Sequence, residues 1–383
     1  MVSKSDRKRS DAAIEAFHKY YASPKLWNAD RWDKSLFAAL SRPVRYARLN
    51  NPHTDAGLLQ DGFVDVQLPN ILTADAESGV FLKGRVTTLA ESATERSDTA
   101  CAVEQKASIP PPALSSSIQV PPVKLLSHYN LDAASLLPVV LLDPQPGDRI
   151  LDMCASPGGK SIAIGQTLFS SDETGSLHSN ESHPARHARL AKNLTLYFPP
   201  HLLNGGSIQA LKLDASSMEF SAKLPAHTSR RGYDKVLLDT PCSSERHVIH
   251  SHLAAQRSGG ISSDMVGFRT GVPGKKAIVK LQTDLLMNAL RVCRIGGTVV
   301  YSTCSIDRIE NEGVVKSVMD RLNKGKEGFG AQLVDMDELV AGLDDWSEMC
   351  EVGRICLPDH GKDSNGHGWG PIYFCKLVKM PIC

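Results

Sequence analysis

Two cysteines stand where a chain could place a nucleophile. Cys242 follows Asp-Thr-Pro (239–241) and Cys304 follows Ser-Thr (302–303), and an apolar run that predicts a buried strand precedes each of them. A thiolate is a strong, soft nucleophile once a cation or a helix N-terminus lowers its pKa. A single cysteine is more often an inert apolar residue of the core. Two cysteines after neighbouring strands favour a functional pair that faces one crevice.

A glycine-rich turn offers a place for a nucleotide-like ligand. Residues 149–153 form a short apolar run, residues 154–159 form the turn Cys-Ala-Ser-Pro-Gly-Gly, and apolar residues resume after Lys160 as in a helix. Glycines let a ligand approach the backbone, and the free amides of a helix N-terminus point toward it. The same turn is also an ordinary connection between a strand and a helix. A P-loop is excluded, because Cys154 occupies the position of its first glycine.

Acidic residues follow the next three predicted strands. Glu181, Asp214 and Asp239 come directly after the runs 175–180, 207–213 and 233–238. An acid after the second strand can accept hydrogen bonds from a ribose diol, and Asp214 is placed to accept one from an adenine amino group. One such acid is commonly only a helix cap. Acids at three successive strand ends, above a glycine turn, indicate a ligand site.

The elements that would position these residues alternate between helix and strand from about residue 130 onward. Helices are predicted over 132–141, 160–169, 184–197, 277–293 and 306–322, strands over 149–153, 175–180, 207–213, 233–238 and 298–302, and a last edge strand over 370–377. A polar loop is predicted before the helix that begins at residue 277. This alternation predicts a parallel sheet with helices on both faces, whose ligands lie beyond the carboxyl ends of the strands.

The first part of the chain predicts helices and then a linker. Residues 11–21 and 33–50 indicate two helices rich in aromatic and basic residues, which could stack on and pair with RNA, or form an ordinary helical cap with a packed aromatic face. Residues 92–122 are rich in Ser, Thr, Ala and Pro and indicate a linker or a surface insertion. We therefore expect a helical N-terminal region over 1–91, a linker over 92–122 and a catalytic domain over 123–383.

Composition limits the partners. The chain carries 43 Lys+Arg against 42 Asp+Glu, so contacts with nucleic acid must come from local basic patches, for which 1–49 and 243–280 are the candidates. The 9 cysteines form no C-x-x-C pair, which argues against a zinc ribbon or a disulfide framework and for a reducing compartment. The longest apolar run, 136–142, contains Pro138, so we expect no membrane span. The N-terminus is a poor secretory signal or transit peptide by composition.

Three motifs together resemble the Sun-domain RNA cytosine-5 methyltransferases, the RsmB-like family. They are Cys-Ala-Ser-Pro-Gly-Gly-Lys-Ser (154–161), Leu-Leu-Asp-Thr-Pro-Cys-Ser-Ser (237–244) and Tyr-Ser-Thr-Cys-Ser (301–305), and the resemblance covers about residues 123–380. The segments 132–138, 246–247 and 369–373 look most like the mitochondrial members. The resemblance implies a Rossmann-like class I α/β fold with a mainly parallel seven-stranded sheet, helices on both faces and a helical N-terminal extension.

The resemblance also implies a reaction and its partners. The cofactor would be S-adenosylmethionine, and its methyl group would pass to C5 of cytosine in mitochondrial ribosomal RNA or transfer RNA. The target base must leave its stack to reach the crevice, and the basic segment 243–280, which borders the crevice, is the best RNA contact. Mitochondrial members of this kind carry no separate RNA-binding module, so a partner of the mitochondrial transcription-termination-factor family is expected to recruit the protein. Neither a metal nor a membrane is implied.

Roles for single residues follow from the same resemblance. Cys304 matches the nucleophile, Cys242 matches the cysteine that assists product release, and Asp239 would lie between cofactor and target base. The residues expected to bind the cofactor are Cys154, Pro157, Gly158, Gly159, Lys160, Glu181, Arg186, Asp214 and Asp239. The glycines and Lys160 would line the methionine and ribose, Glu181 with Arg186 nearby would hold the ribose hydroxyls, and Asp214 would meet the adenine.

Three departures from the family pattern are modest. Ser156 replaces the usual Ala, Ala215 stands where a Gly is frequent, and Glu181 replaces the usual Asp. The longer arm of Glu181 is expected to shift the ribose contact and to weaken cofactor affinity slightly. Because none of the three removes a catalytic group, we expect activity.

Two other functions stay open at this point. A DNA cytosine-5 methyltransferase would use Cys242 as its nucleophile and would carry a Glu-Asn-Val motif, which the sequence does not contain. A ribosome-assembly factor could keep the fold and act only by binding RNA. The presence of both Cys304 and the glycine turn favours catalysis over this scaffold role.

Overall fold

The computed structural model of the protein describes residues 3–54, 63–66, 68–71, 86–89, 124–169, 175–225, 231–360 and 368–382. The predicted linker 92–122 lies outside the described residues. The division of the chain at residues 91 and 122 therefore stays a prediction.

The N-terminal region begins with two helical segments. Helix α1 (Lys4–Tyr21) is capped by Ser3, whose hydroxyl accepts from the backbone N–H of Asp6 at 3.1 Å. Segment α2 consists of the consecutive turns Ala29–Arg31, Trp32–Leu36 and Phe37–Ser41. The predicted helix over 33–50 is wrong beyond Ser41. Arg42 precedes Pro43 and is extended, with ψ 152°, because the proline ring disfavours a helical residue before it.

A small sheet follows that the sequence did not predict. Its four strands are antiparallel and run in the order β2-β4-β1-β5. They are β1 (Ala47–Asn50), β2 (Phe63–Asp65), β4 (Val86–Leu89) and β5 (His128–Leu131), and a separate strand β3 (Asn70–Ile71) pairs with β12 (Val340–Ala341). Because β1 pairs with β5, the N-terminal region is hydrogen-bonded to the segment that leads into the glycine turn.

The main sheet carries the predicted strand ends. Five of its strands are parallel, in the order β10-β9-β6-β7-β8. They are β6 (Arg149–Asp152), β7 (Ser176–Asn180), β8 (Ile208–Leu211), β9 (Tyr233–Asp239) and β10 (Cys293–Thr303). Antiparallel strands extend it beyond β10: β11 (Phe329–Leu333), β13 (Glu348–Met349), β14 (Arg354–Cys356) and β15 (Ile372–Pro381).

The expected Rossmann-like arrangement is confirmed, but the main sheet has nine strands rather than seven. The predicted edge strand over 370–377 is wrong in position, because β15 is flanked on both sides. β10 pairs with one edge of β15, while β11 and β14 share the other edge along different parts of its length. β13 then pairs with β14.

Helices cover both faces of the main sheet. They are α3 (Leu137–Leu142), α4 (Gly159–Leu168), α5 (Pro184–Tyr197), α6 (Pro200–Asn204), α7 (Phe220–Lys223), α8 (Glu245–Arg257), α9 (Ser263–Gly267), α10 (Gly271–Val292) and α11 (Glu312–Asn323). Alternate strand residues feed two buried cores: Val299 and Tyr301 of β10 point into the core under α10 and α11, and Val300 into the core under α3 and α4. α1 packs on the first of these cores.

The predicted polar loop before residue 277 is wrong. Most of that stretch is helical, in α8, α9 and the first turns of α10. α8 buries Val248 and Ile249 on one face, although its many His and Ser residues hide this amphipathic pattern in the sequence. None of the helices described here is both long enough and apolar enough to cross a bilayer.

Candidate active site

The parallel pairing of β9 and β10 brings the two predicted cysteines together. Asp239, the last residue of β9, lies in register with Ser302 near the end of β10. The loops that follow the two strands therefore leave the sheet side by side. The Sγ atoms of Cys242 and Cys304 are 2.9 Å apart. Cys304 is exposed, and Cys242 is half-buried beneath it. The predicted proximity of the two thiols is therefore confirmed.

Hydrogen bonds make the two thiols chemically different. The Cys242 thiol donates to Cys304 and thereby lowers the pKa of Cys304, although partial desolvation of the sulfur opposes this, and the Ser244 hydroxyl at 3.0 Å lowers it further. The same interaction, together with burial, raises the pKa of Cys242 well above its usual range. Cys304 is therefore the more acidic thiol of the pair, and Cys242 is the one that keeps its proton more readily.

A lysine–aspartate pair connects the glycine turn to the cysteine loops. Lys160, in the first turn of α4, lies 2.7 Å from Asp239 Oδ2, and Asp239 Oδ1 accepts from the Ser302 hydroxyl at 2.8 Å. Burial lowers the pKa of Lys160, but the neighbouring carboxylate of Asp239 outweighs it, so the net pKa is raised and the ammonium stays charged. The pair fixes a cation and an anion between the predicted cofactor turn and the thiols.

The glycine turn is shaped by its neighbours. Gly158 has φ +117°, in the region that side chains rarely adopt. A Cβ on Gly159 would lie 2.8 Å from the ring of Tyr129 in β5. Asn193 of α5 donates to the carbonyl of Pro157 at 2.8 Å. The thiol of Cys154 is held in its neutral form because burial raises its pKa.

The two predicted acids after β7 and β8 are in different settings. Glu181 is buried, accepts from the backbone N–H of His183 at 2.9 Å and pairs with Arg186 at 3.1 Å. Asp214 is exposed and accepts from the backbone N–H and the hydroxyl of Ser216, at 3.0 and 2.7 Å. Asp214 thus makes a local turn with Ser216 rather than the helix cap that the sequence left open as an alternative.

Sequence reasoning missed two polar residues under the site. Asn180 donates to the carbonyls of Met153 and Leu213 at 3.1 and 3.0 Å, so it ties together the ends of β6, β7 and β8. Asp152 is fully buried and accepts from the Ser161 hydroxyl at 2.6 Å. Burial raises its pKa to about 7. For Asp152 the available signal was a carboxylate inside an apolar run, whereas Asn180 follows the polar residues His178 and Ser179 and gave no such signal.

The structure also distinguishes between the alternatives for the aromatic and basic patches. Phe17, Tyr21 and Trp32 are buried against one another, which is the packed helical cap rather than an RNA-stacking surface. In the patch 243–280, Arg246 and Lys275 are buried. Exposed basic residues in that patch are Arg257, Arg269, Lys276 and Lys280. The basic surface available to RNA is therefore smaller than the composition suggested.

Comparisons with known proteins agree with this arrangement. The family model described as 16S rRNA methyltransferase RsmB/F matches residues 139–340, more than half of the chain. The mouse 5-cytosine rRNA methyltransferase NSUN4 is 32% identical over 260 residues, which cover 67% of this chain and 61% of the mouse protein. The zebrafish protein named tRNA (cytosine(34)-C(5))-methyltransferase, mitochondrial, is 35% identical over 271 residues, 67% of this chain and 62% of its own.

Solved structures show the same fold. A methyltransferase homologue from Pyrococcus horikoshii gives a TM-score of 0.56 at 20% identity, over 99% of this chain and 100% of that one. NSun6 from the same organism, solved with SFG, gives a TM-score of 0.54 at 19% identity, over 95% of this chain and 98% of that one. The chain spans about three-fifths of the length of the mouse and zebrafish relatives, 61% and 62%. By its family match, its fold and its paired thiols, the chain belongs to the RsmB/F methyltransferase family.

Proposed function

We propose that this protein methylates C5 of cytosine in RNA, with S-adenosylmethionine as the methyl donor. The observation that carries the proposal is the thiol pair, in which the Cys304 sulfur lies 2.9 Å from the Cys242 sulfur at the end of the sheet where the parallel strands have their carboxyl ends. Family membership supports methyl transfer, and the names of the mouse and zebrafish relatives support cytosine in RNA as the target. A DNA-type mechanism through Cys242 would leave Cys304 without a role.

The chemistry assigns one step to each thiol. C5 of cytosine is a weak nucleophile until Cys304 adds to C6, which forms a C–S bond and shifts electron density onto C5. Asp239 favours this addition by hydrogen bonding to the N3/N4 edge of the base. When bound, S-adenosylmethionine supplies an electrophilic methyl group. The C5–H bond then breaks with its proton passing to solvent water, its electron pair re-forms the C5–C6 double bond, and the C6–S bond breaks so that Cys304 leaves with the bonding electrons. The proton held by Cys242 stabilises the departing Cys304 thiolate.

The residues around the glycine turn fit this cofactor. The start of α4 presents free backbone amides beside the turn, while the missing side chains of Gly158 and Gly159 leave room for Leu190 and for the ring of Tyr129. A carboxylate offers about four acceptor sites, so Glu181 can accept from ribose hydroxyls beside its existing contacts with His183 and Arg186. Asp152 Oδ1 has no hydrogen-bond partner among the residues described. The assignments of Cys154, Pro157, Lys160 and Asp214 to the cofactor remain part of this proposal.

The RNA substrate is proposed to be mitochondrial ribosomal RNA or transfer RNA, and the location mitochondrial. The mitochondrial designation of the zebrafish relative supports this. The full chain has a net charge of +1, and two of the basic residues in 243–280 are buried, so its overall charge gives little attraction for RNA. A partner of the mitochondrial transcription-termination-factor family would supply the missing affinity. A pull-down from mitochondrial extract that recovers no such partner in stoichiometric amount would contradict this part.

Bisulfite sequencing of total RNA tests the reaction. Cells that carry Cys304→Ala are expected to lose one or a few mitochondrial 5-methylcytosines that are present with the wild-type protein. Cys242→Ala is expected to accumulate a covalent protein–RNA adduct on denaturing gels, and the double variant Cys242→Ala/Cys304→Ala should form none. If no cytosine changes, and ribosome assembly fails only when the whole protein is deleted, the scaffold role replaces the catalytic one.

A further inference from the structure

The loops that carry the two cysteines are hydrogen-bonded to each other, because a glutamate that follows each cysteine accepts hydrogen bonds from the opposite loop. Glu310, which follows Cys304, accepts from the backbone N–H of Ser243 at 2.9 Å and from its hydroxyl. Glu245, which follows Cys242, accepts from the Ser305 hydroxyl at 3.0 Å and from the backbone N–H of Ile306 at 3.1 Å. Each loop therefore supplies the acceptor that fixes the other.

A single buried lysine lies among these carboxylates. The Nζ atom of Lys275, in α10, is 3.0 Å from Glu245, 2.6 Å from Glu310 and 2.9 Å from Asp307. An ammonium group has three donors, which matches three carboxylates. The Lys275 side chain is 2% exposed and the three carboxylates are 0% exposed. In the part of the chain described, these acids form the one cluster tight enough to hold a cation, and the ammonium occupies it.

Helix α1 completes the cluster from the N-terminal side. The Tyr21 hydroxyl donates to Glu245 at 2.7 Å and the Tyr20 hydroxyl donates to Asp307 at 3.0 Å. The ring of Phe268 lies 5.1 Å from the Lys275 ammonium. Among the residues that the structure describes, the polar groups in contact with the ammonium therefore come from α1, through the Tyr21 hydroxyl at 3.3 Å, and from the two cysteine loops.

We propose that Lys275 is a positioning residue for the cysteine pair. Its ammonium neutralises the carboxylates that hold the two loops in register, and so keeps the Cys242 and Cys304 sulfurs in contact. This inference rests on the proposed function only in taking Cys304 as the nucleophile. The exposed lysines of the basic segment 243–280 have no comparable contact with the cysteine loops among the described residues.

Loss of the ammonium would act on Cys304 by two routes. Uncompensated negative charge on Glu245, and on Glu310 beside Cys242, disfavours a nearby thiolate. Repulsion between the carboxylates would also separate the loops and break the hydrogen bond from Cys242 to Cys304. The other groups that face the thiols are Asp239, Lys160 and Ser244, and none of them changes. Both routes raise the pKa of Cys304.

The test is the pH dependence of Cys304 alkylation by iodoacetamide, followed by mass spectrometry of the Cys304 peptide under reducing conditions. Lys275→Met is expected to slow alkylation at pH 7 about tenfold, the effect of one unit in pKa. Because Cys304 is already exposed, looser loops would not mask this loss by improving access. Lys276→Met, at the exposed neighbouring position, should match the wild-type protein, and Lys275→Arg should recover part of the reactivity.

A second variant covers the case in which Lys275→Met does not fold. Tyr21→Phe keeps the buried ring and removes only the hydroxyl that binds Glu245, and should slow alkylation about threefold, as expected for loss of one hydrogen bond. Wild-type alkylation profiles in folded Lys275→Met, or in Tyr21→Phe if the former is unfolded, would overturn the inference. Because alkylation needs neither RNA nor cofactor, this failure is distinct from failure of the proposed methyl transfer.

Discussion

At the scale of single residues, Asp152 carries an acid–base property that the folded protein imposes on it. Burial raises its pKa from 3.8 to about 7, against the opposing hydrogen bond from Ser161. Between these values the folded protein keeps a proton that the unfolded chain releases. Folding stability therefore falls as the pH rises from about 4 to about 7, by about 4 kcal/mol at 1.36 kcal/mol per unit.

Asp152→Asn should remove this pH dependence. The amide is neutral at every pH, and its oxygen can still accept from Ser161. Urea unfolding without cofactor should show the variant gaining stability relative to the wild-type protein across pH 4 to 7, with no further gain above pH 8. If the free energies of unfolding of the variant and the wild-type protein differ by the same amount at all pH values, Asp152 is ionised in the folded protein.

At the scale of elements, Gly159 is where β5 of the small sheet contacts the start of helix α4, which packs on the main sheet. The ring of Tyr129 in β5 covers this glycine so closely that an added Cβ would lie 2.8 Å from it. Gly159→Ala must therefore displace either the ring or the start of α4, with a loss of about 1–3 kcal/mol, as for overpacked positions. Cofactor affinity should fall with it, because α4 begins at this residue.

A matched glycine distinguishes this effect from helix propensity. Gly267 in α9 has nothing within 4 Å of an added Cβ, so Gly267→Ala should be neutral or slightly stabilising. Trimming the ring in Gly159→Ala/Tyr129→Leu should recover part of the lost affinity. Thermal unfolding and titration with S-adenosylmethionine check both variants. Equal behaviour of Gly159→Ala and Gly267→Ala would show that Tyr129 does not constrain the turn.

The parallel part of the sheet could be predicted because most of its strands are local apolar runs that alternate with helical segments, and the site residues come shortly after these strands. Strand β11 could not be predicted in this way, because its sequence Phe-Gly-Ala-Gln-Leu has only two large apolar residues. It forms through pairing with β15. Lys275 belongs to the basic segment 243–280, which the sequence suggested as the best RNA contact. Its burial depends on carboxylates 30 and 35 positions away, and a composition pattern contains no such information.

At the scale of the whole molecule, the N-terminal segment is bound to distant parts of the chain. The Trp27 indole N–H donates to the carbonyl of Ile306 at 3.1 Å. Arg31 pairs with Glu348 at 2.6 Å and with Asp359 at 2.9 Å, and Asp359 is only 4% exposed. Together with the contacts of α1, these bonds connect the N-terminal segment to the loops that carry Cys242 and Cys304 and to the β13–β14 hairpin. We expect the N-terminal segment and the sheet to unfold together.

Urea unfolding followed by two probes tests this cooperativity. The buried Trp27 and Trp32 report on the N-terminal segment, Trp346 and Trp369 report on the opposite end of the chain, and far-UV circular dichroism reports on all helices. One coincident transition is expected.

Arg31→Met should lower the free energy of unfolding by on the order of 2 kcal/mol, because the buried Asp359 loses its partner. The transition should move to lower urea concentration but remain single. Lys34→Met, whose pair with Asp30 is 75% exposed on both sides, should change almost nothing. A separate early fluorescence change would instead mean that the region 1–91 unfolds independently, and the cysteine loops would then keep their arrangement without α1.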